Sequence, residues 1–308
     1  MDTVIVTGGA GFIGSHVVDA LLADGRSVVV VDDLSTGKAT NVAEEATLEV
    51  IDITDSASLG SVVDAAEPSA IFHLGAQSMV TVSVSDPMRD CRVNVIGTLN
   101  VLEAAKRHGA PVVFTSTGGA LYGNDAPRPT PETHPPAPLS PYGASKWAAE
   151  AYVRTWANAT GVGHSVCRLA NVYGPRQSPY GEAGVVSILS NLLWRGKTPT
   201  LYGFGRATRD YVHVSDVAEA MLRACGANGV FNVSTGREVE VIDIFNLLAR
   251  ESGATVQPRL AALREGELER SCMDPAHARD ELEWAATVEL EAGVPATYRA
   301  LVSEFTPA

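Results

Sequence analysis

Apolar and polar positions change period repeatedly along the first half of the chain. Short β-branched runs alternate with amphipathic stretches of helical period: 4–7 then 13–23, 28–32, 47–51 then 59–66, 70–74 then 93–108, and 112–116 then 142–159. Apolar strands separated by helices call for crossover connections and a parallel sheet covered on both faces. The expected fold is therefore α/β and doubly wound, with further strands at 164–169 and 229–233 continuing the sheet past the midpoint.

Beyond residue 170 the texture changes. The stretch 171–209 is rich in Gly, Pro and Tyr, and after residue 239 helical pattern mixes with a charged loop at 264–270. This predicts a cofactor-type domain over 1–170, to which a strand segment at about 205–235 returns, and a smaller discontinuous substrate-binding lobe over 171–308. The proline-rich stretch 124–141 reads as a long surface loop, of the kind that is often functional.

Composition narrows the function. Hydrophobic residues make up 45% and charged residues 19% of the 308, which is globular composition. A net charge of −13 argues against nucleic acid and anionic membrane as broad partners, although a few arginines in one cleft can still hold a small anion. No apolar run is long enough to cross a bilayer. The first residues lack a basic segment, so no leader peptide is expected. Cys91, Cys167, Cys225 and Cys272 are scattered without metal-ligand spacing, so free thiols, a reducing cytoplasmic setting and no metal are expected.

Thr7-Gly8-Gly9-Ala10-Gly11-Phe12-Ile13-Gly14 follows the first strand and opens the first helix. Glycines at 8, 11 and 14 let the backbone turn tightly, approach a pyrophosphate and pack helix on strand, while the helix N-terminus offers free N–H groups to the phosphates. The second strand ends in Asp32-Asp33, placed to bind adenosine ribose hydroxyls and to repel a 2′-phosphate. A Rossmann-like site for NAD is the expectation. Asp52-Ile53, after the third strand, is a candidate for the adenine.

Tyr142 and Lys146 stand four apart in a helical stretch, on one face. A tyrosine of unperturbed pKa about 10 is a poor base at neutral pH, and a neighbouring ammonium favours its phenolate. Ser116 and Thr117 close the preceding strand, within reach of a reacting oxygen.

With these residues in view the chain resembles the extended short-chain dehydrogenase/reductase family, and within it the nucleotide-sugar epimerases of the UDP-glucose 4-epimerase type. The resemblance runs over nearly the whole chain. It rests on the 7–14 turn, Asp32-Asp33-Leu34-Ser35-Thr36-Gly37, the segments 73–77 and 114–123, Tyr142 with Lys146, the segments 171–176 and 209–212, and Arg264-Glu265-Gly266-Glu267. It implies cofactor contacts from Gly8, Gly11, Phe12, Ile13, Gly14, Asp32, Asp33, Ser35, Thr36, Gly37, Asp52, Ile53, Leu74, Gly75, Ala76, Gln77 and Asn94, with Tyr142 as base and Lys146 as its activator and ribose ligand. It implies a UDP-sugar substrate held by Asn171, Val186, Tyr202, Arg209, Arg264 and Glu267.

Three positions depart from the family pattern or leave it open. Counting back from Tyr122-Gly123, the usual catalytic serine is replaced by Gly118, which moves the expected hydroxyl to Thr117, with Ser116 as the other candidate. Thr81 stands where many relatives carry a basic residue. Ser271 falls where a bulky aromatic blocks N-acetyl sugars in some relatives, which leaves room for an acetamido group without recognising one.

The implied activity is 4-epimerisation of a UDP-hexose of the glucose/galactose type through a 4-keto sugar, with UDP-glucuronate or UDP-N-acetylglucosamine as alternatives. Dehydration is disfavoured, because Gly118-Gly119 replaces the acidic pair it needs, and Asp32 argues against an NADPH reductase. An idle NAD-binding regulator would have no use for Thr117, Tyr142 and Lys146. The family also implies a homodimer, built on helices at 90–108 and 145–159; Val95, Leu99, Leu102, Tyr152 and Trp156 would face a partner or cover the sheet.

Overall fold

The computed structural model describes residues 2–180, 184–264 and 267–305. Its centre is a seven-stranded sheet in the order Val230–Val233, β6 (Ser165–Leu169), β5 (Val112–Thr117), β4 (Ala70–His73), β1 (Thr3–Thr7), β2 (Ser27–Asp32), β3 (Thr47–Val50). All neighbours are parallel. The doubly wound α/β expectation is met, including the strand at 230–233. The order reverses at β1, so a crevice opens where the carboxyl ends of β1 and β4 diverge, the place where such sheets bind ligands.

The strands read as unbroken valine and isoleucine runs because both faces are covered. One face packs against the Phe12–Ala23 helix and the Val214–Arg223 helix through Val17, Leu21, Val217 and Met221. The other packs against Ser56–Ala66, Gly97–His108 and Pro141–Thr160 through Leu59, Val63, Val101, Ala149 and Val153. Each fully buried aliphatic side chain is worth about 1.5–3 kcal/mol, which holds the helices on the sheet. A separate apolar cluster joins Leu189 and Leu193 of the Val185–Trp194 helix to Phe245, Leu248 and Val294 of the Val241–Ser252 and Leu290–Phe305 helices.

Two short strand pairs carry the residues that face the crevice from this second cluster. Asn171–Tyr173 runs parallel to Tyr211–His213, and Thr208–Arg209 runs antiparallel to Val239–Glu240. The stretch 118–140 holds no helix or strand, only a bridge from Thr130 to Met273.

Two local differences from the periodicity reading matter for the site. Short helices at Val80–Ser85 and Pro87–Cys91 precede the helix expected from residue 90 or 93; Thr-Val-Ser-Val-Ser carries no helical stripe, and the second helix starts because the Asp86 carboxylate accepts the Arg89 N–H and Pro87 takes the first turn. The helix expected over 93–108 begins with a π turn at Arg92–Ile96, a local widening often found at functional sites, and Asn94 lies within it. Val95 is buried and Leu102 is buried against the sheet, while Ile96, Trp147 and Tyr152 are exposed.

Candidate active site

Gly8 takes a left-handed turn at φ +71°, and a Cβ there would lie 2.6 Å from the Gly75 nitrogen, so the turn after β1 closes directly on the turn after β4. Gly14 is equally committed, with a Cβ position 2.1 Å from the Gly8 carbonyl oxygen. No side chain caps the helix that begins at Phe12, so the first-turn N–H groups and the helix dipole face the crevice with Gly11, Phe12 and Ile13. This cradle is shaped for a pyrophosphate.

Asp32 ends β2 beside it. Its carboxylate accepts the Ala10 N–H at 3.0 Å and the Leu34 N–H at 2.9 Å. Burial raises its pKa, and the two N–H donors oppose that rise. Gly37 lies against the carboxylate, and Asp33 accepts from the Ser35 N–H and hydroxyl at 2.9 and 2.6 Å, which shapes the turn through Thr36. Asp52 is exposed at the rim and accepts the Thr54 N–H, whereas the Ile53 side chain turns inward against Gly97. These residues fit a dinucleotide whose ribose hydroxyls reach Asp32.

The turn after β4 is pinned from both sides. The Leu74 N–H donates to the Thr7 carbonyl and the Gly75 N–H to the Thr7 hydroxyl, with Ala76 next in the chain. Asn94 and Gln77 clasp each other: the Gln77 N–H donates to Asn94 Oδ1 at 2.9 Å, and Asn94 Nδ2 donates to the Gln77 carbonyl at 2.9 Å and to Ser145 Oγ at 3.0 Å. Both side chains are buried, so they position the 74–77 loop on the Tyr142 helix.

That helix, Pro141–Thr160, starts where the Ser140 hydroxyl accepts the Gly143 N–H and Pro141 fills the first turn, which sets Tyr142 half-buried at its mouth. One turn on, Lys146 is buried, donates to the Thr115 carbonyl at 2.8 Å and lies 4.7 Å over the Phe114 ring. Burial brings its pKa down to about 8, against the pull of Asp90 and Glu150. Thr117, last in β5, is half-buried and accepts the Ala120 N–H at 3.3 Å. Ser116 instead donates to Glu150 at 2.5 Å inside the fold. Of the two hydroxyls, only that of Thr117 is open to the crevice side.

The residues expected to hold the substrate come from the segments after β6. Asn171 Oδ1 lies 3.5 Å from the Cβ position of Gly119. Arg209 is half-buried, with Nη1 donating to the Thr208 carbonyl at 2.8 Å, and burial lowers its pKa against Tyr211 and Glu267. Arg264 stacks 4.5 Å over Tyr202 and ion-pairs with Glu267; Glu265 and Gly266 between them lie outside the described residues. Val186 is fully buried in the second cluster. A narrow pocket lined by Gly118, Tyr122, Arg128, Ser271 and Met273 opens beside Thr117.

Three buried groups were given no role of their own by the sequence reading. His73 bridges Thr7 Oγ1 at 2.7 Å and Thr98 Oγ1 at 3.0 Å. Asp210 accepts from the Thr235 and Gly236 N–H groups and thereby ties Arg209 to the wall of the crevice. Glu150 pairs with Arg168. The sequence signal for Glu150 was a charge inside an otherwise apolar stretch, and Asp210 lies in the 209–212 segment already singled out.

The carboxyl end of the sheet thus carries a glycine cradle after β1 and Thr117, Tyr142 and Lys146 around the end of β5, a layout suited to a nucleotide cofactor and its substrate. The model of the NAD dependent epimerase/dehydratase family matches residues 4–234, and the chain belongs to that family. Among its relatives, a UDP-glucose 4-epimerase of Mycolicibacterium smegmatis is 44% identical over 302 residues, covering 95% of this chain and 96% of that protein. A UDP-glucose 4-epimerase of Thermotoga maritima, solved with UDP-glucose, superposes with a TM-score of 0.96 at 42% identity, covering 99% of this chain and all of that one (100%). One from Thermus thermophilus, solved with NAD, gives a TM-score of 0.90 at 40% identity, covering 97% and 98%.

Proposed function

We propose that the protein interconverts UDP-hexoses of the glucose/galactose type at C4, with NAD as resident cofactor. The observation that carries the reading is the meeting of the Tyr142–Lys146 helix with the end of β5, where Lys146 binds the Thr115 carbonyl two residues before Thr117. In the reaction Tyr142 takes the proton of the sugar 4-hydroxyl, and Thr117 hydrogen-bonds the same oxygen. NAD supplies the acceptor, and afterwards the donor, of the C4 hydride. The Lys146 ammonium favours the Tyr142 phenolate and reaches the cofactor ribose.

The 4-keto sugar turns about its diphosphate and takes the hydride on its other face, with the proton returned by Tyr142. Asn171, Arg209, Arg264, Glu267 and Tyr202 hold the nucleotide throughout, so binding energy is concentrated away from the sugar, which must stay free to turn. Purified protein should convert UDP-glucose to UDP-galactose, and Tyr142→Phe should lower the rate by about 10²–10⁴. Equal rates in the variant would overturn the reading. Parallel assays with UDP-N-acetylglucosamine and UDP-glucuronate distinguish the alternative substrates.

The division into a cofactor domain (1–170 with the returning segment at about 205–235) and a discontinuous substrate lobe (171–308) is part of the same proposal, supported by the separate apolar cluster around Leu189, Phe245 and Val294. A cytoplasmic homodimer completes it. The four cysteines are free thiols, no helix among the described residues is long and apolar enough to cross a membrane, and the exposed Ile96, Trp147 and Tyr152 supply a face for a second copy. Light scattering at the mass of one chain would overturn the dimer.

A further inference from the structure

Lys146 is not the only charged residue of its helix face that turns inward. One turn on, Glu150 is 2% exposed and meets the 4% exposed side chain of Arg168. The contact is bidentate, with Nε 3.0 Å from Oε1 and Nη2 2.6 Å from Oε2. Arg168 comes from β6 and stands in register with Ser116 on β5, so the pair bridges helix and sheet under the last residues of β5. Ser116 donates its hydroxyl to the same Oε1 at 2.5 Å.

The pair also reaches outward. Arg168 Nη1 donates to the Tyr122 hydroxyl at 2.8 Å and to the Glu132 carbonyl at 3.2 Å, and Tyr122 donates to Asn232 Oδ1 on the last strand at 2.9 Å. One ion pair therefore gathers β5, β6, the last strand, the loop after Thr117 and the Tyr142 helix. A buried ion pair is a weak way to gain stability, because desolvation of both charges offsets their attraction. Its placement suits the fixing of geometry.

The end of β5 is held at consecutive residues. Lys146 binds the Thr115 carbonyl, Glu150 binds the Ser116 hydroxyl, and Thr117 comes next. Thr115 points to the opposite face of the sheet, toward Met221, so Ser116 is the side chain through which the helix sets the rotation of the strand end. Several groups face the Lys146 ammonium: Tyr142 and Glu150 on its own helix, Asp90 from the Pro87–Cys91 helix, His73 from β4, and Arg168 behind Glu150. Asp90 and Glu150 favour the ammonium, while His73 is buried and neutral.

We propose that the Glu150–Arg168 pair is the positioning element of this site: through Ser116 it sets the direction of the Thr117 hydroxyl, and through the charge of Glu150 it keeps Lys146 in its ammonium form. The proposal rests on the roles given above to Thr117 and Lys146. Neither Glu150 nor Arg168 touches the reacting atoms.

The test uses full-length NAD-loaded protein and two variants, Ser116→Ala, which leaves the ion pair in place, and Glu150→Gln. Rates are measured across pH, and the Lys146 Nζ proton is titrated by NMR of lysine-labelled protein in the absence of sugar. Ser116→Ala should lower kcat about 10- to 100-fold with KM little changed, the signature of a displaced reacting group. Glu150→Gln should move the Nζ titration, and the alkaline limb of kcat, about one pH unit lower, because an anion facing the ammonium is lost. Unchanged kcat in Ser116→Ala, a loss confined to KM, or an unmoved Nζ titration in Glu150→Gln overturns the proposal. If Glu150→Gln does not fold, Ser116→Ala decides alone. Because the titration needs no sugar, a parent protein without epimerase activity would count against the functional reading only, and an active parent with an unmoved titration against the ion pair only.

Discussion

Met273 occupies the space that a side chain at Gly118 would take: a Cβ on Gly118 would lie 1.7 Å from the Met273 sulfur. The thioether therefore closes the wall beside Thr117, and position 118 cannot carry a hydroxyl without moving it. Gly118→Ser should cost about 1–3 kcal/mol by overpacking, seen as a lowered thermal midpoint. Thr117→Ala should lower kcat by about 10²-fold or more. The double variant Thr117→Ala/Gly118→Ser should stay as inactive as Thr117→Ala. Recovery of activity in it would show that a serine at 118 can serve, contrary to the packing.

Lys146 predicts an alkaline limit. Its ammonium is lost in the folded protein at about pH 8, well below the ordinary 10.5. The epimerase rate should therefore fall as pH rises through about 8, and Lys146→Arg should flatten that limb in whatever activity remains, because a guanidinium keeps its charge. The stability effect has the opposite sense. Between pH 8 and 10.5 the unfolded lysine holds a proton that the folded one has released, so this group's contribution to stability rises with pH over that window. A kcat profile without an alkaline limb would sink the assignment.

His73 predicts sensitivity to acid. Complete burial, with Lys146 nearby, lowers its pKa from 6.5 to about 3. Below pH 6.5 the unfolded chain takes up a proton that the folded chain refuses, so this contribution is whole above 6.5 and is lost as pH falls toward 3, at up to about 1.4 kcal/mol per unit. Urea unfolding near neutral pH and about two units lower measures the slope. In His73→Gln the slope should flatten, and stability at neutral pH should drop by about 1–3 kcal/mol as Thr7 and Thr98 lose a partner. An unchanged slope would assign the acid sensitivity elsewhere.

Arg264 and Tyr202 should act as one unit toward the nucleotide. Their stacking at 4.5 Å, with Glu267 accepting from Nε and Nη2 at the edge of the guanidinium, makes each dependent on the other. Arg264→Ala or Tyr202→Ala should raise KM for the UDP-sugar about tenfold with kcat nearly constant, and the double variant should add little. A selective loss of kcat would place them at the sugar instead.

The cofactor side of the crevice was legible because its determinants are local. The spacing of Gly8, Gly11 and Gly14, the valine run that ends in Asp32, and the four-residue step from Tyr142 to Lys146 each lie within one element. The buried supports were not legible, because each needs two distant segments to be neighbours. Nothing in the environment of Glu150 points to Arg168 until β5 and β6 are known to be adjacent, and Asn94, expected at the cofactor, is shown to clasp Gln77 and Ser145 only once the π turn that carries it is known. The exclusion of Ser116 as the open hydroxyl depends likewise on a distant pairing, the packing of the Pro141–Thr160 helix on β5.

The Val230–Val233 strand completes the sheet only after the chain has left it to form the Asn171–Tyr173 and Tyr211–His213 pair. Under the proposed division, the cofactor floor and the nucleotide wall are thus written alternately along the chain. A single recombination point cannot exchange one without cutting the other, so a change of sugar preference would come through point substitutions around Gly118, Ser271 and Met273 more readily than through shuffling of a ready-made lobe.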